Sequence, residues 1–179
     1  MQKPNIDELR AIDINSLVPY FTDNEDTYEK RRPLAEAYRL YAWLTTKLKK
    51  DAKIADLGTC EGFSALALTY SGHKVTSYDL DITKRVVKHP SIKFLQKNMF
   101  DDIENILKSD LILVDVDPHD GVQEKELYDI LVEKKYKGIT VWDDIIHFSG
   151  MQRFWASVER EKLDFTDVGH WSGTGLIKF

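Results

Sequence analysis

Residues 53–68 read KIADLGTCEGFSALAL, and the change of pattern inside them decides the fold. Lys53–Leu57 is an apolar run of strand length. Gly58 and Gly62 interrupt it four positions apart, and the segment Gly62–Ser71 continues as small and apolar residues suited to a helix. Glycines at a strand-to-helix turn let another group come close to the backbone. The first turn of the helix then aims unpaired N–H groups at whatever lies there.

The same alternation extends outward from this stretch. Lys74–Asp79, Ser91–Gln96, Asp110–Val116 and Gly138–Asp143 read as strands. Between and after them, Thr83–Lys88, Asp102–Lys108, Gly121–Lys135 and Ser149–Lys162 read as helices. Asp164–Val168 and Gly175–Phe179, separated by residues 169–174, read as a terminal β-hairpin. Upstream, Leu34, Ala37, Tyr38, Tyr41, Ala42, Leu44 and Leu48 recur at helical spacing and predict a long amphipathic helix over Glu29–Lys50. That helix suits either the face of its own sheet or a contact in a homodimer. Residues 1–28 are polar and irregular, with Pro4, Pro19 and an acidic run at 23–26, and read as an N-terminal arm or lid. Strands alternating with helices imply an α/β fold, Rossmann-like and doubly wound. The expected sheet is seven-stranded and mostly parallel, closed by the C-terminal antiparallel hairpin, with residues 29–179 forming one domain.

Composition narrows the class. The chain has 179 residues, 25 basic against 30 acidic, and a net charge of −5, which argues against nucleic acid as the main partner. No apolar run is long enough to span a bilayer. The N-terminus MQKPNIDELR has no apolar signal region. One cysteine, Cys60, excludes an internal disulfide and suits a reducing compartment. A soluble cytoplasmic domain with a small-molecule partner is expected.

In an open α/β sheet, ligands bind beyond the carboxyl ends of the strands. The residues there are Asp56–Gly62, Asp79–Asp81, Asn98–Phe100, Asp115–Gly121 and Asp143–His147, and four of these five segments carry carboxylates. The first loop lacks the middle glycine of the dinucleotide fingerprint G-x-G-x-x-G, which disfavours a dehydrogenase. Asp79 lies 17 positions after Gly62, close to the ~20 expected when one helix and one strand separate a glycine loop from a ribose-binding acid. A carboxylate can accept both hydroxyls of a ribose diol. The same side chain would also serve as a turn or capping aspartate.

The stretches DLGTCEGFSALAL, VTSYDLD and LILVDVDPHDG…GITVWDDIIHFSGM resemble the class I S-adenosylmethionine-dependent methyltransferases. That resemblance implies a glycine loop of Gly58, Thr59 and Gly62 around the methionine end of the cofactor. It makes Asp79 the ribose acceptor, with Leu80 beside it, and Asn98 and Met99 the adenine contacts. Asp56 and Asp115 complete the implied cofactor set. The carboxylates after strands four and five further resemble the metal-dependent O-methyltransferases, both the catechol type and the branch acting on sugars and macrolides. Asp115, Asp143 and Asp144 are then the implied ligands of a divalent ion such as Mg²⁺. Three converging carboxylates repel unless a proton or cation neutralises them, and a hard ion takes oxygen ligands. Pro118 shifts the register, so Asp117 is an alternative to Asp115.

The catechol-type lysine near the first ligand has no counterpart, and a different base is needed. His119 and His147 are the candidates, because imidazole titrates near neutral pH; each is equally readable as a loop histidine. The resemblance implies methyl transfer to a hydroxyl of a small molecule. Metal-independent N- or C-methylation and a non-catalytic cofactor-binding module are the alternatives. Cys60, Trp142, Trp155 and Trp171 read as loop or packing residues, and Arg31-Arg32 as solvated charge or a contact for an acidic substrate.

Overall fold

A computed structural model of the chain describes residues 2–22, 28 and 32–179. The acidic run at 23–26, the expected helix start at Glu29, and Arg31 lie outside the described residues.

The sheet has seven strands: β1 (Lys53–Leu57), β2 (Lys74–Asp79), β3 (Ile92–Gln96), β4 (Leu111–Val114), β5 (Ile139–Asp143), β6 (Lys162–Asp164) and β7 (Thr174–Lys178). Their order is β3-β2-β1-β4-β5-β7-β6, parallel throughout except that β7 runs antiparallel to β5 and β6. The order reverses between β1 and β4, which is where such sheets bind ligands. Strand alternation sorts the core onto two faces. Ile54, Leu111, Leu113, Val141 and Leu176 join one apolar cluster, while Ala55, Leu57, Ile112, Val114, Trp142 and Ile177 join the other.

Helices cover both faces. α1 (Ile6–Arg10), α2 (Arg32–Thr45) and α3 (Phe63–Ala67) pack on the first, and α4 (Ile103–Ile106), α5 (Val122–Glu133) and α6 (Ser149–Ser157) on the second. Leu40 and Leu44 of α2 are fully buried, so the C-terminal half of this helix lies on its own sheet. No helix among the described residues is long and apolar enough to cross a membrane.

Several expected elements differ. The N-terminal segment is not irregular: Asn5 and Glu8 form a reciprocal cap on α1. A 3-10 turn follows at Ile14–Tyr20, and Leu9, Ile14 and Leu17 enter the core. The expected helix Thr83–Lys88 does not form. Its β-branched Val86 and Val87 extend instead: Val87 bridges Phe21, Thr22 N–H donates to the Val86 carbonyl, and Val86 N–H donates to the Glu61 carbonyl. α6 ends at Ser157, and the hairpin's first strand lies at Lys162–Asp164 rather than Asp164–Val168. Asp164 instead accepts from Thr166 N–H and turns the chain.

Candidate active site

The glycine loop is held from below. Gly58 and Thr59 donate their N–H groups to the Tyr78 carbonyl at 2.9 and 3.1 Å. Ser77 donates to buried Asp56, and Thr59 Oγ1 lies 2.5 Å from Ser77 Oγ. Both glycines have positive φ, +99° at Gly58 and +94° at Gly62. A Cβ on Gly58 would meet the Asp115 carbonyl at 1.7 Å, and one on Gly62 would meet Val87 at 3.2 Å. The close approach that requires glycine here is therefore made by the chain itself, and any ligand would meet the opposite side of the loop. Burial pushes the Asp56 carboxyl up to about 6, against the hydroxyls of Ser77 and Ser64.

Asp79 closes β2 and accepts two backbone N–H groups, from Cys60 at 2.8 Å and from Asp81 at 2.9 Å. It is thus a turn aspartate and a clasp on the glycine loop, and it also faces a cavity of about 460 Å³. Gly58, Leu80, Asn98, Met99 and Asp115 line that cavity too, so most of the expected cofactor residues surround one space. Asn98 accepts from Phe100 N–H and caps the turn that carries buried Met99. Asp56 lies beneath the loop and Thr59 is buried within it, whereas exposed Leu80 forms part of the rim.

A smaller cavity of about 210 Å³ adjoins it through Gly58, Cys60 and Asp115. Tyr38 and Tyr41 of α2 wall one side, and Asp143, Asp144 and His170 the other. Burial, then Asp143 and Asp115, holds the Tyr41 phenol well above its ordinary range and so neutral. Asp115 is itself held well above the ordinary carboxylate range, first by burial and then by Asp143 and Asp144. Its side chain remains 37% exposed, so solvent screens part of that penalty.

The carboxylates pair with histidines. His119 Nδ1 lies 3.2 Å from Asp144 and 3.9 Å from Asp115, and its Nε2 lies 3.3 Å from Asp117. His170 Nδ1 lies 3.5 Å from Asp143. Two groups of three could hold an ion among the described residues: Asp115, His119 and Asp144, and Asp143, Asp144 and His170. Asp115 and Asp143 fall in different groups, so each close set substitutes a histidine for one of the three expected carboxylates. Cys60, His119 and Asp144, with φ of 43°, 56° and 59°, hold left-handed backbone conformations at this site.

Asp117, the alternative ligand, is 97% exposed. His147 is exposed and packs edge-on between Phe148 and Trp171 on the rim. His170, Tyr38 and Tyr41 were not anticipated at the site. The signal for His170 was the terminal hairpin: β7 runs antiparallel to β5, which puts Thr174 opposite Asp143 and returns residues 169–173 to the ligand edge.

No family model matches the chain, and no curated protein does. Solved structures resemble it in fold. An O-methyltransferase from Bacillus cereus in complex with S-adenosylhomocysteine is 14% identical, with a TM-score of 0.56 over 98% of this chain and 92% of that one. A candidate caffeoyl-CoA O-methyltransferase from Staphylococcus aureus is 15% identical, with a TM-score of 0.64 over 98% of this chain and 100% of that one. An S-adenosylhomocysteine-bound methyltransferase from Podospora anserina is 14% identical, with a TM-score of 0.54 over 99% and 89%. The chain has the Rossmann-like fold of the S-adenosylmethionine-dependent O-methyltransferases.

Proposed function

We propose that this chain is an S-adenosylmethionine-dependent methyltransferase that methylates a hydroxyl of a small cytoplasmic molecule with the help of a divalent ion. The observation that carries the reading is the junction at Asp115. One cavity there holds the glycine loop and Asp79, and the other holds Asp143 and Asp144. When bound, the cofactor supplies an electrophilic sulfonium methyl, and an ion lowers the pKa of an acceptor hydroxyl and fixes its place.

The chain's own residues have these roles. Asp79 keeps acceptor capacity beyond its two backbone contacts and accepts the ribose hydroxyls. Asn98 and Met99 bound the adenine end. Asp143 and Asp144, with Asp115 from the neighbouring strand, supply oxygen donors of the kind divalent ions take. His170 stands at the same wall, its Nδ1 3.5 Å from Asp143. His119, between Asp144 and Asp117, is placed to take a proton as general base, with two carboxylates to stabilise the imidazolium. Tyr38 and Tyr41 keep water from the smaller cavity.

The test is calorimetry with S-adenosylmethionine and S-adenosylhomocysteine, followed by methyl transfer to a panel of hydroxylated small molecules with and without chelator. Absence of binding to either nucleoside sinks the reading. Turnover indifferent to chelation removes the ion and leaves a metal-independent methyltransferase.

A further inference from the structure

We propose that the acceptor carries an apolar body without negative charge, which lies on a run of rings formed by Phe148, His147 and Trp171 while its hydroxyl enters the smaller cavity. This rests on the methyl-transfer part of the function proposed above and not on the ion.

Of the six large apolar side chains exposed among the described residues, five stand at the ligand edge of the sheet: Leu80 after β2, Val122 after β4, Ile146 and Phe148 after β5, and Trp171 before β7. Apolar groups gathered in one exposed place mark a binding surface, whereas scattered ones mean little. Phe148 and Trp171, 42% and 60% exposed, belong to an unbroken run of rings. The Phe148 ring lies 6.0 Å from His119 and nearly parallel to it, at 14°. His147 lies 4.2 Å from Phe148 and 4.8 Å from Trp171, and Trp171 lies 5.4 Å from His170. One end of the run, His119, lines the larger cavity, and the other, His170, lines the smaller. The loops beneath are pinned. Ile146 N–H donates to the Ser172 carbonyl at 3.0 Å, His147 N–H to the Asp144 carbonyl at 3.1 Å, and Gln152 Nε2 to the Ile146 carbonyl at 2.6 Å. A surface already fixed in place binds at little ordering cost.

Size, charge and continuity name the occupant. The smaller cavity, about 210 Å³, falls below the roughly 300–1,000 Å³ of ordinary ligand sites. An acceptor of ordinary size therefore projects from it onto the rings at its mouth. Asp115, Asp143 and Asp144 line that cavity, and among the described residues no Lys or Arg does. Like charge set against like costs affinity, so a phosphate, sulfonate or carboxylate on the acceptor is turned away. A stable protein interface takes about 20–30 residues a side, far more than this run of rings supplies. The net charge of −5 opposes docking on an anionic lipid surface. His147 is then part of the platform for the acceptor.

Calorimetry of the full chain loaded with S-adenosylhomocysteine, using naphthol and hydroxynaphthalene sulfonate as probes, tests this without turnover. Naphthol should bind, and the sulfonate at least about tenfold more weakly. Combining Phe148→Ser with Trp171→Ser is expected to weaken naphthol at least about tenfold and to leave S-adenosylhomocysteine affinity unchanged. Ser is favoured at the position of Phe148, which caps α6, so the fold is spared there. Equal naphthol affinity in wild type and the folded double variant overturns the proposal. So does a sulfonate bound as tightly as naphthol, or naphthol that does not bind; in each case S-adenosylhomocysteine binding leaves methyl transfer standing. If the double variant fails to fold, NMR of the wild type decides. Naphthol should shift the Trp171 indole N–H signal and glycerol should not; a signal that stays, or moves alike with both, overturns the proposal. Sedimentation showing a dimer that the double variant loses gives the rings to a second copy, and co-sedimentation with phosphatidylcholine vesicles gives them to a lipid surface. Either result overturns the proposal. A chain that binds no S-adenosylhomocysteine removes the methyl-transfer reading and the proposal with it.

Discussion

The cavity beside Asp79 and the one beneath Tyr38 and Tyr41 share Gly58, Cys60 and Asp115, yet they are assembled differently. The first is made from the loops after β1, β2, β3 and β4, which follow one another in sequence. The second gathers a helix before β1, two strand ends in the middle, and a loop before the last strand. The first is rich in backbone contacts to its key carboxylate, and the second in carboxylates set against one another. On the proposed function, the nucleoside falls to the side held by main-chain geometry, and the chemistry tuned by side chains to the other.

The largest way to break this division is at the shared wall. Gly58→Ala places a Cβ 1.7 Å from the Asp115 carbonyl at a φ of +99°. It is expected to cost about 3 kcal/mol or more in urea unfolding, and to damage both cavities at once. A stability within about 0.5 kcal/mol of wild type, the range of a neutral surface change, would mean that the loop does not press on β4 as described.

Asp56, beneath the loop, comes next. Its carboxyl moves from 3.8 to about 6 on folding, chiefly through burial. At about 1.4 kcal/mol per pH unit, that displacement corresponds to about 3 kcal/mol. A raised folded value means a contribution that is present below pH 3.8 and lost as pH rises through about 6. Asp56→Asn removes the titration. The stability of the variant relative to wild type is therefore expected to rise by about 2 kcal/mol between pH 4 and pH 7. A difference flat with pH would assign the position to packing alone.

The two sides then separate by ligand. Asp79→Asn keeps one carbonyl oxygen for the loop but loses the charge, and is expected to weaken S-adenosylhomocysteine about tenfold to a hundredfold while leaving ion affinity alone. Asp144→Asn should do the reverse, with at least about tenfold lost for the ion. Asn tolerates the left-handed backbone at Asp144 better than most residues, so the fold is spared. Calorimetry showing both ligands impaired equally by both variants would merge the two cavities into one site.

The same division explains what could be read from the sequence. The glycine loop, Asp79, Asp115 and Asp143-Asp144 were legible because a parallel sheet puts every strand's carboxyl end on one edge, and short-range spacing locates those ends. His170 was not, because its position depends on the antiparallel register of β7 on β5, a long-range fact. Tyr38 and Tyr41 read as helix core, which they also are; that their side of α2 faces the glycine loop is a packing result. Val86 and Val87 read as part of a short helix over Thr83–Lys88, but the bridge from Val87 to Phe21 depended on an N-terminal segment that read as irregular.

The smallest effect sharpens the comparison from the cofactor side. Asp102 accepts from Lys97, Asn105 and Tyr78 at 2.7, 3.0 and 2.9 Å, and Lys97 first among them lowers it from 3.8 to about 2. It is the opposite of Asp56, a carboxylate that the fold wants charged. Its stabilisation is present above pH 3.8 and is lost as pH falls towards 2. Lys97 is 39% exposed, and water screens the pair, so Asp102→Asn is expected to cost only about 1 kcal/mol at pH 7. Tyr78 both donates to Asp102 and presents the carbonyl that anchors Gly58 and Thr59, so the loss should pass to the loop. Urea unfolding of both proteins at pH 7 and pH 2.5 checks it: the cost should fade at the lower value, where wild-type Asp102 is itself becoming protonated. A cost that persists there would belong to the shape of the carboxamide, and the charge network under β2 would carry none of it.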